Sequence, residues 1–121
     1  MTKCIIADDS KIIRMLLVKI MENFGFEVHE AEDGEEVLEL VLEQEPDLVI
    51  CDWSLPVMDG IDVLYKLRSD KKITQPKFMF CSLVTDTSKM RQALDGGADD
   101  FVMRPFDEDI IASKLAILGL L

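Results

Sequence analysis

Five short apolar runs alternate with five segments of helical periodicity, an alternation that very few folds can accommodate. The runs are Lys3 to Ala7, Glu27 to Ala31, Asp47 to Cys51, Lys77 to Cys81 and Asp100 to Met103. The first, third and fourth are almost unbroken in apolar residues, as expected for parallel strands covered on both faces. Between the runs, apolar residues recur at helical spacing. Ile13, Leu16, Leu17, Ile20 and Phe24 line one predicted helix, and Val37, Leu38, Val41 and Leu42 mark the second. Ile61, Val63, Leu64 and Leu67 mark the third, and Met90, Ala93 and Leu94 the fourth. Ile110, Ile111, Leu115 and Leu118 follow in the fifth, which begins at Asp107. Ser10 is a natural N-cap for the first helix, and Gly25 can supply its left-handed stop. Strand–helix alternation of this kind gives a parallel sheet with helices on both faces. Right-handed crossovers make it a doubly wound α/β sandwich.

The chain is long enough, at 121 residues, to bury a core without disulfides or metal staples. It reads as one domain over 1–121, with no linker, repeat or low-complexity tract. No apolar run approaches the ~18–20 residues that span a bilayer. The first residues do not form a secretory signal, so a cytoplasmic location is expected. A net charge of −11, from 24 acidic and 13 basic side chains, repels nucleic-acid backbones and anionic lipid. Neither nucleic acid nor membrane is therefore expected as a direct partner. Cys4, Cys51 and Cys81 each lie inside an apolar run with no Cys-x-x-Cys pairing, and His29 has no ligand-like neighbour. Buried reduced thiols and an ordinary histidine near a strand end are the expectation.

In an open parallel sheet, ligands bind beyond the carboxyl ends of the strands, where the strand order reverses. Asp8-Asp9 follow the first run, Asp52 the third, Ser82 the fourth and Arg104-Pro105 the fifth. Three carboxylates, a hydroxyl and a guanidinium are thus expected on one edge. Taken alone, Asp8 and Asp9 serve equally well as turn and capping residues or as ligands of a hard cation. Asp52 favours the second use, because it ends the apolar strand Leu48-Val49-Ile50-Cys51, where an unpaired charge is costly. Magnesium uses few carboxylates, several waters and phosphate oxygens, which suits so sparse a cluster. A carboxylate there can attack phosphorus, with Ser82 and Arg104 binding the transferred group.

The ordered set Asp8-Asp9-Ser10, Glu32-Asp33-Gly34, Asp52-Trp53, Pro56-x-Met58-Asp59-Gly60, Gly97-Ala98 and Arg104-Pro105-Phe106 spans essentially the whole chain. It resembles the receiver domain of two-component response regulators, in particular the stand-alone CheY-like receivers. The resemblance implies a five-stranded (βα)5 flavodoxin-like fold with strand order 2-1-3-4-5. It implies a phosphoprotein rather than an enzyme, one that assists its own phosphoryl transfer and dephosphorylation. Asp52 would be the phosphoacceptor. Mg²⁺ would sit on Asp9, Asp52 and the backbone carbonyl of Ser54, with Asp8 acting through water. The backbone N–H groups of Trp53 and Leu83 would help hold the phosphoryl oxygens. Ser82 and Phe101 would form the switch, and the Arg104-Pro105 peptide would be cis. The implied phosphodonor is a histidine kinase or phosphotransfer protein. The downstream target would be a flagellar motor or phosphorelay partner, docking on helix four, strand five and helix five around Met90, Leu94, Met103 and Lys114.

Arg104 stands where the family has lysine, exchanging a compact ammonium for a planar, bidentate fork. Leu83 replaces a usually small residue and is expected to narrow access to Asp52. Ser82 keeps the hydroxyl of the commoner threonine, and Phe101 carries no hydroxyl, so it can signal only by packing. The end of the chain soon after the fifth helix suggests a stand-alone protein. Two other readings compete: a phosphorylation-independent binding adaptor, and an aspartyl-nucleophile phosphatase. The phosphatase needs a general acid two residues past its nucleophile, and Ser54 cannot serve at neutral pH.

Overall fold

The computed structural model describes residues 1–83 and 86–121. Strands β1 (Lys3–Ala7), β2 (Glu27–Ala31), β3 (Leu48–Cys51), β4 (Lys77–Ser82) and β5 (Asp100–Met103) alternate with five helices. The helices are α1 (Lys11–Asn23), α2 (Gly34–Gln44), α3 (Gly60–Ser69), α4 (Thr87–Asp95) and α5 (Glu108–Ile117). All strand pairs are parallel, in the order β2-β1-β3-β4-β5. Chain order therefore reverses beside β1, and the ends of β1 and β3 become neighbours. Their register places Ala7 opposite Cys51.

Because strand side chains alternate between faces, each strand feeds two cores. Ile5, Ala7, Val49, Cys51, Phe78, Phe80 and Phe101 pack under α2, α3 and α4 with Val37, Val63, Leu64 and Ala93. Cys4, Ile6, Leu48, Ile50, Met79, Cys81 and Val102 pack under α1 and α5 with Leu17, Met21, Ile111 and Leu115. β3 is buried at every position, which explains its unbroken apolar run.

Helix ends follow local chemistry. The Ser10 hydroxyl accepts the Ile13 amide at 3.4 Å, Asp33 caps α2 and Asp107 caps α5 through Ile110 N. Gly25 turns the chain after α1 with φ +88°, where a side chain would be strained. β3 starts one residue later than the sequence pattern suggests, and β4 runs one residue further, taking in Ser82.

The predicted apolar stripes are displaced in places. Leu16 is exposed, and α1 buries Arg14, Leu17, Ile20 and Met21 instead. Leu42 and Leu94 are also exposed, and Met90 is half-buried. Periodicity fixes the spacing of a face but not its azimuth, and an apolar residue at the edge of a stripe can fall on either side. His29 lies mid-strand, its ring 2.8 Å from a Glu27 carboxylate oxygen.

All three cysteines are buried and unpaired. Burial raises the Cys4 thiol, and burial raises Cys51 as well, with the Asp52 and Asp8 charges acting in the same direction. Burial pushes Cys81 up to about 11, with Arg104 pulling partly the other way. The thiolate is the reactive form. No thiol is therefore expected to react with Ellman's reagent at pH 8 in the native protein, and three should react in guanidinium. Rapid native labelling would contradict this packing.

Candidate functional site

The parallel ladder continues past the strand ends and carries the acidic residues with it. The Asp8 amide donates to Ala31 O at 3.2 Å, Asp52 N to Ala7 O at 2.9 Å, and Arg104 N to Ser82 O at 3.1 Å. Asp8, Asp9 and Asp52 each bring a carboxylate oxygen within 4.8 Å of the others. Asp8 and Asp52 are buried, whereas Asp9 is exposed. At that spacing each pair repels by roughly 3–4 kcal/mol at an effective dielectric near 20. Something positive must offset this.

Arg104 supplies part of the offset. Its Nη2 donates to Asp8 Oδ2, lies 3.4 Å from Asp52 Oδ2, and lies 3.3 Å from the Cys81 carbonyl. Burial alone lowers the guanidinium's proton affinity, but Asp52 and Asp8 outweigh it and hold the group above its ordinary range. Burial pushes the Asp8 carboxyl up, and the Ser10 amide, donating to Asp8 Oδ1 at 2.8 Å, and Arg104 draw it back. Arg104 Nε is buried without a hydrogen-bond partner among the described residues. The three carboxylates and one guanidinium leave two negative charges uncompensated among these four groups. A hard divalent cation matches both that charge and the all-oxygen donor set, so these residues fit magnesium.

The cap of α1 falls to Ser10, and Asp8 serves the turn. Asp8 thus serves the turn while its carboxylate stands in the acidic cluster, and Asp9 leaves capping to its neighbour. Ser82 is buried at the end of β4, and Ser54 is exposed two residues past Asp52. Leu83 is 69% exposed and lines a groove with Ser10, Ile13, Leu16, Arg104, Pro105 and Phe106. Arg104-Pro105 is cis, as expected.

Behind the site, the Trp53 ring lies 5.1 Å from Phe80, and Phe80 lies 5.8 Å from the buried Phe101. Lys89 of α4 sits 5.7 Å over the Trp53 ring. On the far side of Phe101, a groove is lined by Met90, Met103, Ile110 and Lys114, with Lys114 Nζ 2.9 Å from Asp100 Oδ1. Leu94 is not among its lining residues.

The profile of the response regulator receiver domain family matches residues 4–116. The chain belongs to that family. It is 38% identical over 114 residues to the transcriptional regulatory protein SrrA of Staphylococcus aureus, a match covering 94% of this chain and 46% of SrrA. The chain thus spans about half the length of the curated relatives it matches. The structure of the chemotaxis response regulator CheY4 of Vibrio cholerae is similar, with TM-score 0.87 and 25% identity over 100% of this chain and 99% of that one. So is the receiver domain of a signal transduction histidine kinase from Syntrophus aciditrophicus, with TM-score 0.87 and 25% identity over 98% and 89% of the two chains. Receiver domains are components of two-component signalling, and their observed strand order is the one found here.

Two features of this receiver are invisible to motif reading. The first is Arg14, buried on α1 and tied to the acidic loop. An arginine on an otherwise apolar helical face was the available signal. The second is the loop after β3. There Val57 adopts φ 70°, unusual for a β-branched residue, and the Met58 amide donates to Pro56 O at 2.7 Å.

Gly60 closes that loop. Its amide donates to Trp53 O at 2.8 Å, and a Cβ there would collide with the Asp52 carbonyl and lie 2.9 Å from the Phe80 ring. Gly60→Ala is expected to destabilise by about 1–3 kcal/mol. Urea unfolding checks this, and an unchanged midpoint would show that the loop gives way freely.

Proposed function

We propose that Asp52 accepts a phosphoryl group from the phosphohistidine of a histidine kinase or phosphotransfer protein. The observation that carries this reading is the convergence of Asp8, Asp9 and Asp52 with Arg104 at one strand edge. An Asp52 carboxylate oxygen attacks phosphorus; the new O–P bond forms as the donor's P–N bond breaks and its imidazole takes a proton. Asp9, Asp52 and the Ser54 carbonyl would hold Mg²⁺, with Asp8 linked through water. Bound there, the ion neutralises the carboxylates and the incoming phosphoryl oxygens.

Arg104 already lies between Asp8 and Asp52 and, with an Nε that has no partner among the described residues, has donors to give the phosphoryl oxygens. Ser82 hydrogen-bonds the transferred group, and the Trp53 and Leu83 amides hold its remaining oxygens. Leu83 lies on the groove beside α1, where it would restrict approach to Asp52 from that side. Phe101 then repacks against Phe80, and the groove beside Met103 and Lys114 changes shape for a downstream protein. Phosphorylation shifts that equilibrium only as far as the phosphoryl group prefers one packing.

The domain acts as a phosphorylated signal, dephosphorylating with its own residues, rather than turning over a substrate. Its setting is cytoplasmic, and no helix among the described residues is long and apolar enough to cross a membrane. CheY4, which shares this fold at a TM-score of 0.87, is a chemotaxis response regulator. We favour output through protein docking, in a flagellar or phosphorelay setting. The Arg104 pairing supports one alternative, an adaptor whose acidic site is partly neutralised without metal or phosphate. Binding of beryllium fluoride in Mg²⁺ separates the two, since an adaptor ignores it.

Acetyl phosphate with Mg²⁺ is expected to add one phosphoryl mass to the intact protein. Asp52→Asn, or removal of Mg²⁺ by EDTA, should abolish the addition without unfolding the chain. An adduct mapped to another residue would defeat the proposal. Arg104→Lys is expected to leave labelling intact and strengthen the response at the Met103 groove, read as amide shifts on phosphorylation. Identical shifts in both proteins would show that the guanidinium is no compromise.

A further inference from the structure

Arg14 is the one residue of α1 that is both charged and buried, its side chain only 9% exposed. Its three nitrogens divide between two elements. Nη1 donates to the Asp8 carbonyl at 2.8 Å, Nε to Glu30 at 3.1 Å, and Nη2 to Glu32 at 3.4 Å. The two glutamates are 49% and 71% exposed, so those ion pairs are weak. The bond to the buried carbonyl is the consequential one.

Every polar atom of Asp8 is held. Its amide bonds Ala31 O, Oδ1 accepts from Ser10 N, Oδ2 from Arg104, and its carbonyl from Arg14. The carbonyl shares a rigid peptide plane with the nitrogen and Cα of Asp9. Fixing that oxygen therefore fixes the direction in which the exposed Asp9 leaves the strand. From this geometry we infer that Arg14 is a positioning residue for the metal carboxylates, an inference resting on the phosphoacceptor reading. Arg14 works through the backbone and touches no reacting atom. A lysine cannot reproduce the fork, because one ammonium cannot span a carbonyl and two carboxylates in fixed directions.

The sign of one effect makes the role testable. Arg14 is a cation behind an acidic site, so electrostatics alone predicts that its removal tightens metal binding. Positioning predicts the opposite. Magnesium demands near-ideal octahedral geometry, whereas calcium tolerates irregular sites, so lost positioning weakens Mg²⁺ more than Ca²⁺.

The experiment titrates Mg²⁺ and Ca²⁺ against the emission of Trp53, the chain's single tryptophan, next to Asp52. Wild type, Arg14→Met, Arg14→Lys and the Glu30→Gln/Glu32→Gln double variant are compared, each with a cooperative urea transition. Both Arg14 variants are expected to lose about tenfold or more in Mg²⁺ affinity and less for Ca²⁺. The glutamate double variant should change by less than about fivefold. Mg²⁺ binding by folded Arg14→Met that is unchanged or tighter, or equal losses for both ions, would overturn the inference. If Arg14→Met does not fold, Arg14→Lys carries the same comparison. A wild-type protein that neither responds to Mg²⁺ nor takes a phosphoryl group from acetyl phosphate would overturn the phosphoacceptor reading itself. A labelled wild type with unaltered Arg14 variants would overturn only the role of Arg14.

Discussion

Like-charge repulsion at the end of two adjacent parallel strands is the constraint around which the rest of this receiver is arranged. β1 and β3 are neighbours, and the ladder bonds that extend them deliver Asp8 and Asp52 to the same level. With Asp9 they form a site that ordinary packing cannot stabilise, since two of the three are buried. The apolar sheet makes the site rigid, because β3 is buried throughout and held from both faces. The same burial makes its charges costly. A cluster so placed favours whatever brings positive charge, which is a reasonable basis for a phosphorylation site that depends on metal.

Two arginines act on the cluster through different atoms. Arg104 meets the carboxylates directly, and Arg14 meets the backbone that carries them. The guanidinium suits both places because its donors are fixed in one plane. At Arg104 the same property has a cost. A fork bridging Asp8 and Asp52 has fewer ways to reorganise than an ammonium, and is proposed to hold the domain more firmly in its unphosphorylated arrangement. From that edge, contact passes inward along rings rather than hydrogen bonds. Trp53, Phe80 and Phe101 lie in successive contact between the acidic loop and the last strand, and Phe101 has no hydroxyl to add a polar link. Coupling in this chain is proposed to rest on packing, with the bistability that close packing permits.

Legibility varied with how local the governing physics is. Five strands and five helices could be read from the chain because unbroken apolar runs and helical periodicity are consequences of burial on two faces or one. Ser10 and Asp107 were readable as a cap and a helix start because a cap needs only a few neighbouring amides, whereas the cap at Asp33 was not read. The stripe of α1 was less legible. Ile13, Leu16 and Leu17 are consecutive enough that several azimuths satisfy the spacing, and only contact with β1 and β2 turned Leu16 outward and Arg14 inward. Val57 was not readable at all, because nothing in a valine announces a positive φ imposed by the closure of its loop on Gly34 and Gly60.

The sequence by itself determined the layered parallel fold, the family, and which side chains follow each strand, since these depend on periodicity and on order along the chain. Tertiary structure alone decided that Arg104 bridges Asp8 and Asp52, that Arg14 grips the Asp8 carbonyl, and that Leu83 faces a groove beside α1. Arg104 and Leu83 meet residues dozens of positions away, and Arg14 meets Asp8 across six positions only once α1 is packed, so these distances are set by strand register and helix azimuth. No local pattern encodes such quantities; they emerge only when all the faces are packed at once.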